Sequence, residues 1–131
     1  MKLLILKDNL KAALNYTERA AGRNLTLPIL NNFLLSAEKN YLSITATDLE
    51  LAINYWVLAK IEKPGKTILP AHFFSNLVSL LPKENKDISL ELKDNFLFLE
   101  SGNYRNQIKA FSPEDFPLLP QVQRTDFIEV N

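Results

Sequence analysis

No cysteine occurs among the 131 residues, which excludes disulfides, zinc–thiolate centres and thiol nucleophiles. There is one histidine, His72, so a His-rich metal site is excluded too. Glycine appears three times, at scattered positions. A loop that cradles phosphate needs several glycines close together, so that class falls away. Neither sign of charge is in excess. Lys+Arg and Asp+Glu both total 15, and the net charge is zero. A strongly basic nucleic-acid binder carries a surplus, so any contact with nucleic acid requires charge segregated by face. No apolar run reaches membrane-spanning length, and no membrane partner is expected. The start, "MKLLILKDNL", has a positive residue and a short apolar run, but Lys7 and Asp8 follow at once. It lacks the apolar core and cleavage site of a signal peptide. The chain reads as a cytoplasmic protein that begins with a strand.

What is present is ordinary for a globular domain: 47% hydrophobic and 23% charged residues. The length suits one domain with a real core. Lys2 to Leu6 is a candidate strand. Asp8 or Asn9 is a candidate helix cap, since either side chain can accept from the free N–H groups of a first turn. Leu10, Ala13, Leu14, Thr17 and Ala21 recur at helical spacing, and Gly22 ends that helix. Pro28 to Glu38 reads as a strand. Leu42, Ile44 and Ala46 alternate with Ser43, Thr45 and Thr47, which predicts a half-buried strand, and Leu49 to Val57 alternates likewise.

Lys63-Pro64-Gly65-Lys66 is a turn and divides the chain, with halves of about 1–63 and 66–111. The pattern then restarts. Thr67 to Leu69 is a strand, Pro70 suits the first turn of a helix, and Pro82 stops that helix. Phe74, Leu77, Val78 and Leu81 form its apolar stripe. Ile88, Leu90 and Leu92 alternate with polar residues, and Phe96 to Glu100 and Tyr104 to Ala110 complete two more strands. Asn40-Tyr41-Leu42 lines up with Asn95-Phe96-Leu97, and Asp48 lines up with Asn103, at one common offset. The expected fold is therefore α+β: two β-α-β-β-β repeats, with two helices on one side of antiparallel sheets. Beyond Phe111, "SPEDFPLLPQVQ" is loop-like, and Asp126 to Asn131 reads as a fresh strand. The expected division is a domain over 1–120, then a linker and the truncated start of a second domain over 121–131.

No catalytic motif is present, and no catalytic residue, cofactor or metal is expected. A Ser-His-Asp set assembled from His72 and the many serines has composition but no geometry behind it. Asp48 and Glu50 share one side of a strand and so could hold magnesium; a solvated sheet face and a turn role for Asp48 are the plainer reading. The helices say more. His72, Ser75, Asn76 and Ser79 make one polar face without an acid. Lys11, Asn15, Glu18 and Arg19 lie opposite the first apolar stripe, followed by Arg23 and Asn24. Glu38, Asp48, Glu50, Asp87, Glu91 and Asp94 gather on strands or their connections. The expectation is a neutral-to-basic helix side and an acidic sheet side.

Five stretches carry a family likeness: Thr26-Leu27-Pro28-Ile29-Leu30, Thr45-Ala46-Thr47-Asp48-Leu49-Glu50, Leu69-Pro70-Ala71, Ser101-Gly102 and Asp115-Phe116-Pro117. In this order and spacing the chain resembles the N-terminal domain of the bacterial DNA polymerase III beta subunit, the sliding clamp. The resemblance implies the DNA-clamp fold and a role without catalysis: a head-to-tail homodimer ring, a processivity factor that encircles duplex DNA in replication and tethers the polymerase. It implies DNA contact through Arg23, Asn24, His72, Lys11 and Arg19. Family members usually have arginine two residues before Thr-Leu-Pro; here Asn24 stands there and Arg23 one earlier. It implies a subunit contact through Phe73, Leu77, Leu81, Arg105, Asn106, Gln107 and Ile108, with Asn106 at a position that is commonly aromatic. DNA polymerase III and the clamp loader would bind through later domains. Two other readings remain for the residues alone: a β-rich protein-interaction domain without a DNA role, and a small enzyme with an unrecognised site.

Overall fold

A computed structural model describes residues 1–19, 31–47 and 52–115. The chain begins with β1 (Lys2–Leu6), whose Leu3 and Ile5 point into the core while Leu4 and Leu6 point out. Helix α1 (Lys7–Thr17) follows without a break and buries Leu10, Ala13, Leu14 and Thr17 along one stripe. Neither Asp8 nor Asn9 caps it. Leu6 holds the cap position without a side-chain hydrogen bond, because the helix starts at Lys7 and leaves Asp8 and Asn9 inside its first turn. A backbone bond does part of that work: the Lys7 N–H donates to the Lys86 carbonyl at 2.7 Å.

Strands β2 (Asn32–Glu38) and β3 (Tyr41–Thr47) form a hairpin around the two-residue loop Lys39-Asn40. The half-burial expected of β3 is not observed. Leu42, Ile44 and Ala46 face the core, but Ser43, Thr45 and Thr47 on the other side are buried as well. Ser43 Oγ donates to Asn54 Oδ1 at 2.7 Å on the neighbouring β4 (Ala52–Leu58), so the hydroxyl is satisfied away from water.

A further strand that no alternation marks, β5 (Lys60–Lys63), follows β4. After Ala59 the chain leaves the sheet that holds β4 and pairs β5 with β1 in the other sheet. Pro64 alone separates β5 from β6 (Gly65–Pro70), so the expected turn is tighter than four residues. Pro70 closes β6 and stands at the cap of α2 (Ala71–Ser79) rather than inside its first turn. Helix α2 ends three residues before Pro82, with Leu80 at its C-terminal cap. Two hairpins complete the chain: β7 (Asp87–Lys93), β8 (Phe96–Ser101) and β9 (Tyr104–Lys109).

The two sheets are antiparallel throughout, ordered β5-β1-β7-β8-β9 and β4-β3-β2-β6. The four-stranded sheet holds three strands of the first half and the first strand of the second; the five-stranded sheet holds three strands of the second half with the first and last strands, β1 and β5, of the first. Strand β1 lies against β7, setting Leu3 opposite Leu90 and Ile5 opposite Ile88. In the same way β6 lies against β2, setting Leu69 opposite Phe33. The exchange extends to the strand ends. Strand β5 flanks β1, and Phe111 bridges to Ile68 on β6 through two backbone bonds of 2.9 and 3.1 Å. One continuous core results, drawn from both halves and including Leu3, Leu14, Phe33, Ile44, Phe74, Ile88 and Leu97. Helices α1 and α2 pack on one another, and α1 also lies over β3 and β4.

Candidate nucleic-acid interface

The helix pair brings three of the five expected DNA contacts into view. Lys11 is exposed on α1, and Arg19 is exposed just past its end. Arg23 and Asn24 lie outside the described residues, as do Asp48 and Glu50. His72 is in the first turn of α2, and its ring is not free. Its Nδ1 lies 2.6 Å from Glu18 Oε2, at the far end of α1. The two side chains are 38% and 29% exposed, so the contact is half-screened from water. The other ring nitrogen, Nε2, is buried and has no hydrogen-bond partner among the described residues, and the same holds for Ser75 Oγ one turn along. Ser75 therefore leaves the polar face that the sequence suggested: the side chain turns inward.

These positions modify the expected charge segregation. Asp8 and Glu18 place two acids on α1 and its C-terminal edge beside Lys11 and Arg19. The described helix surface is near neutral, while Glu38, Asp87, Glu91 and Asp94 sit on strands or hairpin loops as expected.

The expected subunit-contact residues are spread over two kinds of environment. Phe73 is 52% exposed on α2, and Leu77 is partly buried against the core. Leu81 is 7% exposed and belongs to the core itself, so it offers a partner little surface. Strand β9 ends its sheet. Arg105 and Gln107 point outward from it, Asn106 is half-buried and Ile108 is buried. Leu80, at the cap of α2, and Tyr104, the first residue of β9, are exposed at 76% and 47%. Glu18 was visible as a polar residue, but its partner lies 54 residues away, and no local pattern reports such a pairing.

Residues 1–120 match the family described as DNA polymerase III beta subunit, N-terminal domain. The chain belongs to that family. Among its relatives is the beta sliding clamp of Synechococcus elongatus, 34% identical over all of this chain and 35% of that protein. Solved structures agree. Pol III beta of Caulobacter crescentus superposes with a TM-score of 0.84 at 38% identity, covering 90% of this chain and 32% of that one. A crystal structure of the DNA polymerase sliding clamp from the same organism gives 0.86 at 36% identity, covering 93% and 33%. The chain spans about a third of the length of these beta-subunit relatives. No helix among the described residues of this beta-subunit domain is long and apolar enough to cross a membrane.

Proposed function

We propose that this chain supplies the N-terminal domain of a ring-forming sliding clamp, a cytoplasmic, non-catalytic processivity factor that encircles duplex DNA and tethers the replicative polymerase. The family match over residues 1–120 carries the proposal, and the paired helices give it a surface. The domain extends over 1–120, with 121–131 leading to a second clamp domain. Two subunits close head to tail, through the α2 side with Phe73 and Leu77 and the β9 side with Arg105, Asn106 and Gln107, while Leu81 and Ile108 support that surface from the core. Polymerase and clamp loader bind later domains.

Sliding demands contacts that carry no sequence information. Phosphate contacts meet that demand, because they recur along the duplex and are the same for every base pair. Lys11, Arg19 and Arg23 serve as cations toward phosphate, while Asn24 and the polar helix positions touch it through water. Direct affinity of this chain alone is weak, roughly 10⁻⁴ M or poorer at physiological salt, as for other non-specific contacts. The test is binding to short duplexes as a function of salt. Lys11→Ala and Arg23→Ala should each lower the salt slope by roughly 1, equally for unrelated DNA sequences. An unchanged slope, or a loss confined to one DNA sequence, contradicts the assignment.

A further inference from the structure

We propose that Glu18 masks His72: the contact between them is an interhelical latch that keeps the imidazole from DNA phosphate until the carboxylate is removed or displaced. The inference rests on the proposed DNA-facing role of the helix pair. Three observations carry it. The Nδ1–Oε2 distance of 2.6 Å is that of a short charge-assisted hydrogen bond. Nε2, the ring's second nitrogen, is buried and has no partner among the described residues. Glu18, at the C-terminal cap of α1, and His72, in the first turn of α2, join two helices that pack on each other.

An imidazole meets a phosphate oxygen through a ring N–H, so at least one of its two nitrogens must carry a proton and lie open to the ligand. Here Nδ1 donates to a carboxylate, which either the imidazolium or the neutral Nδ1–H tautomer can do. Nε2 is buried, out of a phosphate's reach. For His72 to reach DNA, the ring must turn out and give up Glu18. A phosphate and a carboxylate are both anions seeking the same N–H donor, so they compete for it. Helix α2 has no other ionisable side chain. With the latch closed, α2 presents DNA only uncharged groups, and the cationic contacts fall to α1 and the segment after it. The latch thereby lowers grip, which suits a surface that must slide. Glu18 is a positioning residue: it acts on DNA through His72.

The test is a double-mutant cycle on the 131-residue chain: the parent, Glu18→Ala, His72→Ala and both together. Binding to a short duplex is followed by fluorescence anisotropy across a salt series at one fixed, mildly acidic pH. His72→Ala should leave the salt slope of the parent unchanged. In the Glu18→Ala background the same substitution should lower the slope by roughly 1, because there the freed ring contacts phosphate. This comparison cancels the simple effect of deleting an acid near DNA. Without DNA, thermal melting of the same four proteins should show a double mutant less destabilised than the sum of the singles. Additive melting losses overturn the latch. Coupled melting with an equal effect of His72→Ala in both backgrounds overturns the masking. Coupled melting with no DNA binding by any of the four sinks the DNA reading and the masking role together, and leaves a helix-packing contact. Should Glu18→Ala fail to fold, Glu18→Gln keeps an acceptor oxygen and removes the charge. The slope difference between backgrounds should then keep its sign, and its absence overturns the proposal.

Discussion

Single residues in this domain hold unusual backbone or ionisation states for local reasons. Three hairpins use two-residue loops, and the first loop residue has positive φ in each: Lys39 at 56°, Asp94 at 55° and Gly102 at 57°. Lys39 and Asp94 occupy equivalent places in the two halves. A Cβ in the left-handed region costs about 1–2 kcal/mol, while glycine costs about 0.5–1 kcal/mol of extra chain entropy. Lys39→Gly and Asp94→Gly should therefore each stabilise the chain by about 0.5 kcal/mol in urea denaturation. Asn40→Gly and Asn95→Gly, one residue on, should destabilise it. At the same hairpin, Tyr41 Oη donates to Glu38 Oε1 at 2.8 Å. That hydrogen bond holds the phenol pKa above its ordinary 10.0, with partial burial and the carboxylate charge adding to it. Because the folded value is the higher one, the contact's contribution is fully present below the ordinary tyrosine range. It is lost as pH rises through the folded value. Glu38→Gln should bring the tyrosinate absorbance titration of Tyr41 downward; an unmoved midpoint contradicts the assigned cause. The turns were legible in part, since Asn40 and Asn95 mark them by type. The strained position was not, because a lysine gives no sign of a left-handed backbone.

At the scale of elements, α2 shows how far periodicity reaches. Phe74, Val78 and Leu81 were readable as its inward stripe, and all three are buried. Phe74 and its neighbour Phe73 differ only in the direction they point, fully buried against 52% exposed. Phe74→Ala should cost about 3–5 kcal/mol by leaving a cavity. Phe73→Ser should change the stability of this chain by no more than about 0.5 kcal/mol. In a full-length clamp, Phe73→Ser should still shift dimer toward monomer in sedimentation, since the proposed subunit surface includes it. An intact dimer removes Phe73 from that surface. Leu81→Lys cannot make the same distinction, because a charge at a core position unfolds the domain whether or not a partner touches it. Strand β5 shows where periodicity stops. Four residues, three of them charged, give no alternation to count, and what makes them a strand is the free edge of β1 beside them.

The whole molecule is built by exchange. The repeat could be read from the common offset between hairpins, but its consequence could not. Which strands pair depends on contacts between distant residues, and β1 with β7 and β2 with β6 are choices made only in the folded chain. Each half surrenders its first strand to the other's sheet, so neither half closes a core alone. Cleavage at Pro64 should give two fragments that are unfolded separately and regain the sheet spectrum and a cooperative melt when mixed. A fragment that folds by itself would mean that the exchanged pairing is dispensable. The same scale holds the central claim, that this domain acts by helping to enclose DNA rather than by gripping it. Head-to-tail closure needs a donor surface on one domain and a different acceptor on another, and the proposed assembly assigns one of the two to this chain. The direct measurement is gel filtration with clamp loader and nicked circular DNA, before and after a restriction enzyme linearises the circle. A full-length clamp bearing this domain should stay on the circle and leave on cutting, and the 131-residue chain should be retained on neither. Retention of the 131-residue chain on circles with release on cutting, or a full-length clamp that stays on linear DNA, would contradict the account.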